Sequence, residues 1–457
     1  MCSILEWRDI AVKIIHEIRD PIHVFIRVDG DERKILDSEP VQRLRHIHQL
    51  AMGYLVYPGA THRRFEHSLG VMELAGRVYD VITADQNVRP EIKERFPELN
   101  DQMKRDYWKR VVRIAGLCHD VGHLPFSHAA EKKLLPNGWS HERLGARLIQ
   151  DGEINTICEE MTPPVKAEHV AKLAVGQKEL KDKNFTDWEA LLSEIIVGNA
   201  FGVDRMDYLL RDSHHAGVAY GKFDHFRLID TMRILPMPVP GGASPEPQLG
   251  VEEGGLHSAE ALLLARYFMF TQVYFHHVRR IYDVHLEDFL EEWLPRGQFP
   301  IDVIGHLSIS DLEVSTAIAE AARDEEKPGH IHACRIVKRD HFRVLWQRKP
   351  EDITTNPDAG KCILDAAATK FGAENVRRDS YAQPGATIDF PVEERDGNVT
   401  SAQAISDVLP NIPSAAVDNV FVKRDLLDDA KNWLSNEKAE VIRPTLTEQD
   451  EEGSDAS

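Results

Sequence analysis

The chain has 457 residues, of which 42% are apolar, and this size is sufficient for two or three packed domains. Its formal net charge of −20 argues against a general nucleic-acid-binding surface, although a local basic pocket could still hold an anionic small molecule. The sequence has no apolar run of roughly eighteen residues and no signal-peptide pattern, which argues against a membrane span. Five scattered cysteines are typical of reduced thiols, so we expect a cytoplasmic protein without a disulfide framework.

The N-terminal part of the sequence predicts a β-hairpin over residues 20–40. Strand-like runs from Val24 to Val28 and from Arg33 to Leu36 would be connected by a turn at Asp29–Asp31. Between Pro40 and Leu235, apolar residues recur at three- and four-residue spacing. This pattern predicts helices over 68–84, 108–118, 141–149, 189–197 and 203–212.

The second half of the chain changes character twice. A Pro/Gly-rich loop over 236–256, with room for a short edge strand, precedes a predicted long helix from Ser258 to Leu294. After Asp340, strand-like runs at 342–346, 387–394 and 418–423 and a helical run at 358–372 predict a small α+β subdomain. The acidic stretch from Glu448 to Asp455 predicts a disordered end.

The richest cluster of reactive side chains follows one apolar, helix-like stretch. That stretch ends in the adjacent pair His119 and Asp120, and His123, His128, Glu131 and His141 come soon after it. Imidazole and carboxylate groups are the ligands of hydrolytic transition metals, and histidine also transfers protons near neutral pH. Packing alone explains such a segment poorly.

Metal-type residues occur on two further helix-like segments, which carry His67 and Asp204. A buried, hydrogen-bonded polar residue is the alternative for any one of these side chains. The order His67, then His119–Asp120, then Asp204, with each member on a separate segment, predicts a metal site.

This order of residues resembles the HD superfamily of metal-dependent phosphohydrolases. The runs 58–70, 113–128 and 204–215 are similar to those of the deoxynucleotide triphosphohydrolases, whose vertebrate member combines an HD domain with a sterile-alpha-motif domain. The resemblance covers roughly residues 18–294. Together with the sequence pattern, it implies a mainly α fold, with an HD-domain helical core, a short N-terminal β-hairpin and a small C-terminal α+β subdomain. The expected divisions are an N-terminal segment 1–17, the HD domain 18–335, the α+β subdomain 336–436 and an acidic disordered tail 437–457.

The resemblance also implies roles for residues around the metal. It assigns to a divalent Mn, Fe or Zn ion the ligands His67, His119, Asp120 and Asp204. Around the scissile α-phosphate it assigns the catalytic residues His123, His128, Glu131 and His141. The vertebrate pattern has Asp where this chain has Glu131, as bacterial relatives often do, and we expect Glu131 to orient His128.

Further residues match the family's substrate contacts: Gln49, Leu50, Arg64, Arg205, Tyr208, Asp212, Arg266 and Tyr274. Guanidinium groups suit a triphosphate because they offer paired donors to phosphate oxygens, and Mg²⁺ would accompany those phosphates. Asp204, Tyr208 and Asp212 follow one another at four-residue spacing and share one helix face. Simple core packing is the alternative for the two tyrosines, and a surface ion pair is the alternative for Arg64 and Arg205.

The implied reaction is hydrolysis of a dNTP to a deoxynucleoside and inorganic triphosphate. A protonated His128 would donate to the leaving 5′-oxygen. Two alternatives remain open at this point. One is another HD nucleotide phosphohydrolase, acting on nucleoside monophosphates or cyclic nucleotides, and the other is a non-catalytic nucleotide sensor. The separated arginines favour a substrate with several phosphates, and the intact histidines favour catalysis.

A last group of residues concerns regulation. Asp37, Gln42 and Arg45 match positions where the vertebrate family member recognises an activating guanine nucleotide between subunits. They imply GTP or dGTP as an activator and a homo-oligomer, either a dimer or a tetramer. Arg19 departs from the family pattern at a neighbouring contact, and a helix start with a local ion pair would explain the same three residues.

Overall fold

The structure, a computed structural model, describes residues 15–127, 131–237, 245–382 and 388–443, and it is mainly helical. Its helices are α1 (Gly30–Leu36), α2 (Glu39–Arg43), α3 (Arg64–Thr83), α4 (Pro90–Arg95), α5 (Gln102–Cys118), α6 (Glu131–Leu134), α7 (His141–Gln150), α8 (Glu153–Glu160), α9 (Ala167–Val175), α10 (Asp187–Val197), α11 (Val203–Ala216), α12 (His225–Asp230), α13 (Leu256–Met269), α14 (His277–Trp293), α15 (Val303–Leu307), α16 (Asp311–Ala321), α17 (His330–Val337), α18 (Pro350–Thr355), α19 (Ala359–Phe371), α20 (Ala402–Ile405) and α21 (Leu427–Val441). Its strands are β1 (Ile15–Asp20), β2 (Val24–Asp29), β3 (Met232–Met237), β4 (Glu246–Glu252), β5 (Arg343–Gln347), β6 (Val376–Ala382), β7 (Pro391–Glu393), β8 (Val399–Ser401) and β9 (Ala416–Val422).

The predicted N-terminal hairpin exists, but its strands are β1 and β2. The prediction of a strand over Arg33–Leu36 is wrong, because these residues belong to α1. Asp29 caps this helix, because its side chain accepts from two backbone N–H groups. The side chain of Glu32 in turn accepts from the backbone N–H of Asp29. This capping box was readable in the sequence and outweighs the short strand-like run.

Helices are confirmed in all five predicted stretches, as α3, α5, α7, α10 and α11. α3 lies at the centre, packed against α5, α10 and α11. Fifteen of its twenty residues are buried, including His67 and Gly70. This burial explains why the helix is apolar on most of its circumference. The three helices that carry the predicted metal residues therefore meet inside one core.

The predicted long helix over 258–294 is divided in two. α13 begins at Leu256, and after Met269 the backbone forms one wide turn of π-helix over Phe270–Tyr274. α14 begins only at His277, capped by the side chain of His276. The interruption sets Tyr274 at the break between the two helices. Such π-helical turns occur frequently at functional sites.

The second half contributes two sheets. β5, β9 and β6 form an antiparallel sheet covered by α19 and α21. The sequence predicted β5, β9 and α19 but not β6 or α21, and the predicted strand over 387–394 overlaps β7 of the other sheet. The predicted loop over 236–256 contains β4, which pairs antiparallel with β3; β3 itself begins at Met232, in the stretch predicted as mostly helical, and residues 238–244 lie outside the described part. β7 pairs in parallel with β4 and antiparallel with β8, giving the order β3-β4-β7-β8. A segment after Asp340 is therefore built into a sheet that starts before α13.

The domain divisions remain predictions. α21 continues to Val441, five residues into the stretch that we assigned to the disordered tail, and residues 444–457 lie outside the described part. Among the described residues, no helix is long and apolar enough to cross a lipid bilayer.

Candidate active site

Three side chains from α3, the end of α5 and the start of α11 form a compact group of metal-type ligands. The ligand atoms of His67, His119 and Asp204 all lie within 4.8 Å of one another. Oδ1 of Asp204 is 3.1 Å from Nε2 of His67 and 3.5 Å from Nε2 of His119. The two histidines are buried, whereas the side chain of Asp204 is 32% exposed, so the group opens to solvent on the Asp204 side.

The outer nitrogens of both histidines are fixed by hydrogen bonds. Nδ1 of His67 lies 2.8 Å from Oδ2 of Asp207, and Nδ1 of His119 lies 2.9 Å from the carbonyl of Gly116. Each Nδ1 therefore serves as the donor, so in the neutral imidazoles each Nε2 carries the lone pair that a metal ion would take. Nε2 of His119 is buried and has no hydrogen-bond partner among the described residues. This arrangement suits a divalent ion, because a metal-binding histidine commonly donates its second ring N–H to a carboxylate or a carbonyl.

The charge around the group also suits a cation. Burial alone would lower the pKa of His67, but hydrogen bonds to Asp204 and Asp207 and the charge of Asp120 raise it to about 10. Although burial opposes it, contacts with His119 and His67 lower the pKa of Asp204. Carboxylates that draw a proton onto a buried imidazole also favour a metal ion at the same place.

Asp120, the fourth predicted ligand, lies beside the group. Its Oδ1 is 3.3 Å from Nε2 of His119, and its Oδ2 is 3.8 Å from Nε2 of His67. The same Oδ2 accepts a hydrogen bond of 2.6 Å from Arg64, which also donates to Ser127. Burial would raise the pKa of Asp120, but Arg64, His119 and His123 hold it well below the usual range. Arg64 thus forms a buried ion pair, not the surface pair that was the alternative.

Two further histidines continue the row of polar side chains away from Asp120. Nε2 of His123 is 3.0 Å from Oδ1 of Asp120, and the rings of His123 and His141 stack with centroids 3.9 Å apart. Glu131 accepts from both the backbone N–H and Nδ1 of His141, at 2.8 and 2.6 Å. Its carboxylate therefore orients His141; the predicted partner, His128, lies outside the described residues.

The closeness of His123 and His141 depends on Gly122. A Cβ at Gly122 would lie 2.0 Å from the carbonyl of His141 and 2.3 Å from the backbone N of Gly145. Any side chain at this position would push the loop after Asp120 away from α7.

The pKa values of the His123 and His141 imidazoles are shifted in opposite directions. Burial, Arg64 and His141 lower the pKa of His123 well below its usual value; burial also opposes the charge on His141, but the bond to Glu131 raises its pKa.

The loop that follows His123 has an unusual backbone. Phe126 and Ser127 have φ angles of 54° and 62°, which non-glycine residues rarely adopt. The backbone N–H of Phe126 donates to Asp311 at 2.7 Å, and the hydroxyl of Ser127 donates to the carbonyl of His48. Asp311 begins α16, so a residue from the second half of the chain holds this loop. Strained backbone of this kind persists only where surrounding contacts impose it.

Three of the predicted substrate-binding residues, Tyr208, Asp212 and Tyr274, come together next to the metal-type group. Tyr208 and Tyr274 meet edge to face with ring centroids 6.1 Å apart. The hydroxyl of Tyr274 donates to Oδ2 of Asp212 at 2.7 Å, and His62 contacts Oδ1 of the same carboxylate at 2.7 Å. Sequence reasoning missed His62, although it stands in the same run as Arg64 and His67. Its ring also stacks on His215.

Burial raises the pKa of the Tyr208 phenol, and the charges of Arg205, on the same helix, and of Arg266, on α13, oppose this rise. Nε of Arg266 is buried and finds no hydrogen-bond partner among the described residues. Arg205 donates to the carbonyl of Gly198 and to Asn199, so it forms local hydrogen bonds instead of the surface ion pair that was the alternative. Burial and Arg205 also lower the pKa of Arg266, consistent with two nearby cations.

The remaining predicted substrate residues lie on the loop after α2. Leu50 is buried, and the backbone N–H of Gln49 donates to the carbonyl of His62. Oε1 of Gln49 is buried without a partner in the described part of the chain. The backbone of Gln49 is therefore held beside that of His62, and the side-chain amide oxygen of Gln49 is still available as an acceptor.

The three predicted regulatory residues have local contacts. Asp37 accepts from Arg33 at 2.7 Å on the exposed side of α1, and the amide of Gln42 donates to the carbonyl of Leu36. Arg45 donates to Gln42 and covers the ring of Phe65 at 3.5 Å. These contacts match the structural alternative that the sequence left open. Arg19, the departing residue, covers Phe25 of the hairpin.

Comparison with known proteins agrees with this geometry. A family model described as the HD domain matches residues 64–212, and one described as the HD associated region matches residues 223–361. An uncharacterized protein of Methanocaldococcus jannaschii is 36% identical over 270 residues, which is 59% of this chain and 48% of that protein. The deoxynucleoside triphosphate triphosphohydrolase SAMHD1 of Homo sapiens is 36% identical over 245 residues, 49% of this chain and 37% of that protein.

The aligned part thus spans half or less of the length of these two relatives. The crystal structure of a hypothetical protein from Aquifex aeolicus is similar over nearly the whole chain. It has a TM-score of 0.74 and 33% identity, and the match covers 92% of this chain and 100% of that one. The chain belongs to the HD superfamily and joins an HD domain to an HD-associated region.

Proposed function

We propose that the protein is a metal-dependent dNTP triphosphohydrolase, which releases a deoxynucleoside and inorganic triphosphate. The observation that carries the proposal is the layout of α11. This helix has Asp204 in the metal-type group, Tyr208 one turn later and Asp212 one turn after that, bonded to Tyr274. A single rigid element thus spans the distance from metal to sugar, as cleavage at the α-phosphate requires. The similarity to SAMHD1 supports the same substrate class.

His67, His119 and Asp204, with Asp120 beside them, are the residues that would hold the divalent ion. A bound ion there would supply Lewis-acid stabilisation of the negative charge that develops on the phosphoryl oxygens. The chain's own contribution to proton transfer comes from the row of histidines beyond Asp120. His141, oriented by Glu131, stacks on His123 and keeps it against Asp120. Donation to the leaving 5′-oxygen by His128 remains part of the proposal and rests on the family pattern.

Basic side chains near Tyr208 supply the proposed triphosphate site. Arg266 has a buried Nε without a partner among the described residues, and a buried donor without an acceptor is costly unless a ligand supplies one. Arg205 lies close enough to influence the same phenol. A triphosphate would give both cations an anionic partner inside an otherwise acidic protein. This favours a substrate with several phosphates over a nucleoside monophosphate or a cyclic nucleotide.

The two tyrosines support a preference for deoxyribose. Asp212 has both oxygens engaged, one by Tyr274 and one by His62, so it fixes the Tyr274 ring beside Tyr208. A ribose 2′-hydroxyl that met this aromatic surface would be buried without a partner. That loss is about 1–3 kcal/mol, or roughly one to two orders of magnitude in rate ratio. Core packing, the alternative for these tyrosines, does not require the shared carboxylate.

The test is incubation with each of the four dNTPs, singly and mixed, with Mn²⁺ or Mg²⁺, and separation of the products by anion exchange. We expect a deoxynucleoside and triphosphate in equal amounts. Release of orthophosphate or pyrophosphate would instead indicate another HD nucleotide phosphohydrolase. Binding of nucleotides without any product would indicate a sensor.

Nucleotide activation and oligomer formation are a second part of the proposal. The motive is the match of Asp37, Gln42 and Arg45 to the family's activator contacts, and both Asp37 and Arg45 are exposed. Their bonds within the subunit provide a complete local explanation, so the test must separate the two roles. dCTP or dTTP hydrolysis is measured with and without GTP or dGTP, together with the mass by light scattering. A rate indifferent to every added nucleotide leaves these residues with their structural role alone.

A further inference from the structure

A buried network of charged and polar side chains lies directly behind His67. It consists of Asp20, His23, His67, Asp207 and Arg211, which we call the Asp207 network. None of the five is more than 5% exposed. They come from the β1–β2 hairpin, from α3 and from α11. Only one of them, His67, was recognised in the sequence as a functional residue.

Asp207 is the centre of this network, and all four of its contacts are short. Oδ1 lies 2.7 Å from Nε2 of His23 and 2.9 Å from Arg211. Oδ2 lies 2.8 Å from Nδ1 of His67 and 2.8 Å from Nε of Arg211. A carboxylate has about four acceptor positions, so none is left for another donor. The orientation of the carboxylate is therefore fixed, and with it the orientation of the His67 ring.

The far side of the network leads to the hairpin turn. Arg211 donates to Oδ2 of Asp20 at 2.8 Å, while Oδ1 of Asp20 accepts from the backbone N–H groups of Ile22 and His23. Asp20 thus shapes the turn that carries His23, and His23 returns to Asp207. The ends of β1 and β2 are in this way connected to a side chain of the metal-type group.

The charges of the network leave a negative excess on the side of His67. When His23 and His67 are neutral, as metal binding requires of His67, one guanidinium, Arg211, faces the two carboxylates of Asp20 and Asp207. A buried negative excess is costly unless a cation compensates it. The carboxylate of Asp207 contacts His67, whose other nitrogen faces Asp204 and His119. A divalent ion at that group would compensate the excess through the imidazole of His67.

We propose that Asp207 is a positioning residue for His67 as a metal ligand, and that the β1–β2 turn, through Asp20 and His23, holds Asp207 in place. The hairpin is then part of the support of the metal centre, although it contributes no ligand. This inference rests on the proposed function in one respect, namely that His67 binds the metal. The alternative is a network that stabilises the fold and has no effect on metal binding.

The experiment measures Mn²⁺ affinity of the full-length protein after removal of bound metal by a chelator. Free Mn²⁺ is titrated by its electron paramagnetic resonance signal, with no nucleotide present. The variants are Asp207→Asn, which removes the charge, His23→Leu, which removes the donor, and His23→Gln, which keeps an N–H donor. Glu189→Gln is the matched control, because Glu189 is also a buried carboxylate, paired with Lys172 at 3.2 Å and absent from the network.

We expect Asp207→Asn to weaken Mn²⁺ binding by about 10–100-fold, the usual effect of removing a partner of a metal-binding histidine. His23→Leu should weaken it by about 10-fold, and His23→Gln should restore most of that loss. Glu189→Gln should lower the unfolding temperature and leave the affinity unchanged. Unchanged Mn²⁺ affinity in folded His23→Leu would overturn the inference. Should Asp207→Asn fail to fold, the result for His23→Leu alone decides.

The titration also separates this inference from the proposed substrate. If the variants follow the expected order of Mn²⁺ affinities and the native protein hydrolyses no dNTP, the substrate is refuted and the positioning role is supported. If His119→Ala and native protein bind Mn²⁺ equally, the metal assignment itself fails, and the positioning role fails with it.

Discussion

Replacing Gly70 by alanine should destabilise the protein, whereas glycine-to-alanine changes inside helices usually stabilise them. Gly70 lies in α3, where alanine would normally add about 1 kcal/mol of stability. A Cβ at this position would, however, lie 1.9 Å from Oδ1 of Asp207 and 2.6 Å from Arg211. Asp207 cannot move aside, because His23 and Arg211 hold the same oxygen. The sign of the effect therefore tests whether the network is as tightly packed as described.

The magnitude follows from the displacement that the methyl group demands. Ordinary van der Waals contact begins near 3.4 Å, so the carboxylate would have to retreat by about 1.5 Å. Overpacking of this kind costs about 1–3 kcal/mol, and a lost hydrogen bond to a charged group adds about 1.5–3 kcal/mol. When the gain of about 1 kcal/mol in helix propensity is subtracted, we expect Gly70→Ala to lower the free energy of unfolding by about 1.5–5 kcal/mol.

The assay is urea unfolding followed by circular dichroism, together with metal content by elemental analysis. Gly30→Ala is the matched control, because Gly30 also lies in a helix and a Cβ there would meet nothing within 4 Å. We expect the control to equal or exceed native stability and to keep its metal. A Gly70→Ala protein as stable as the native one, with full metal content, would show that the space behind His67 is not closed as we infer.

Four other outcomes are expected. His119→Ala should lose most of the bound metal and nearly all hydrolysis while its circular dichroism stays helical; unchanged metal by elemental analysis would refute the ligand assignment. Tyr274→Phe should raise the KM for dNTPs and lower the unfolding free energy by about 1.5–3 kcal/mol, whereas Tyr79→Phe, which loses only a bond to a backbone carbonyl, should leave the KM unchanged. Glu131→Gln should lower turnover by about two orders of magnitude with Mn²⁺ binding intact, and native turnover would show that the orientation of His141 is irrelevant. Finally, dGTP should be hydrolysed faster than GTP at matched concentration, and equal rates would contradict the proposed role of the two tyrosines.

Much of the helical core could be predicted, because a half-buried helix has apolar residues at regular three- and four-residue spacing within one segment. The adjacency of His119 and Asp120 at the end of an apolar stretch likewise exposed the metal-type residues. What joins those segments could not be predicted, since the distance between α3, α5 and α11 depends on contacts between residues far apart in the chain. That the three segments meet at one point was predicted from the order of their metal-type residues and from the family resemblance, not from the distances between them in the sequence.

Other predictions were wrong or incomplete for identifiable reasons. The strand over Arg33–Leu36 was predicted from its side chains alone, although the cap formed by Asp29 and Glu32 lay just before it. The break at Phe270–Tyr274 leaves no mark in the apolar pattern, because a single π-helical turn needs no proline or glycine. Asp207 follows Asp204 by three residues, but nothing local indicates that it turns inward to His67.

The parallel pairing of β4 with β7 has a consequence for the order in which the protein can form. Val251 lies opposite Val392, so about 140 residues must be synthesised before this edge of β4 receives its partner. At 5–20 residues per second, the ribosome needs roughly 7–28 s for that length. Closing so long a loop costs about 4 kcal/mol of chain entropy, which only the finished sheet offsets. During translation, and in any version shortened before β7, the unpaired edge of β4 would be open to strands of other molecules.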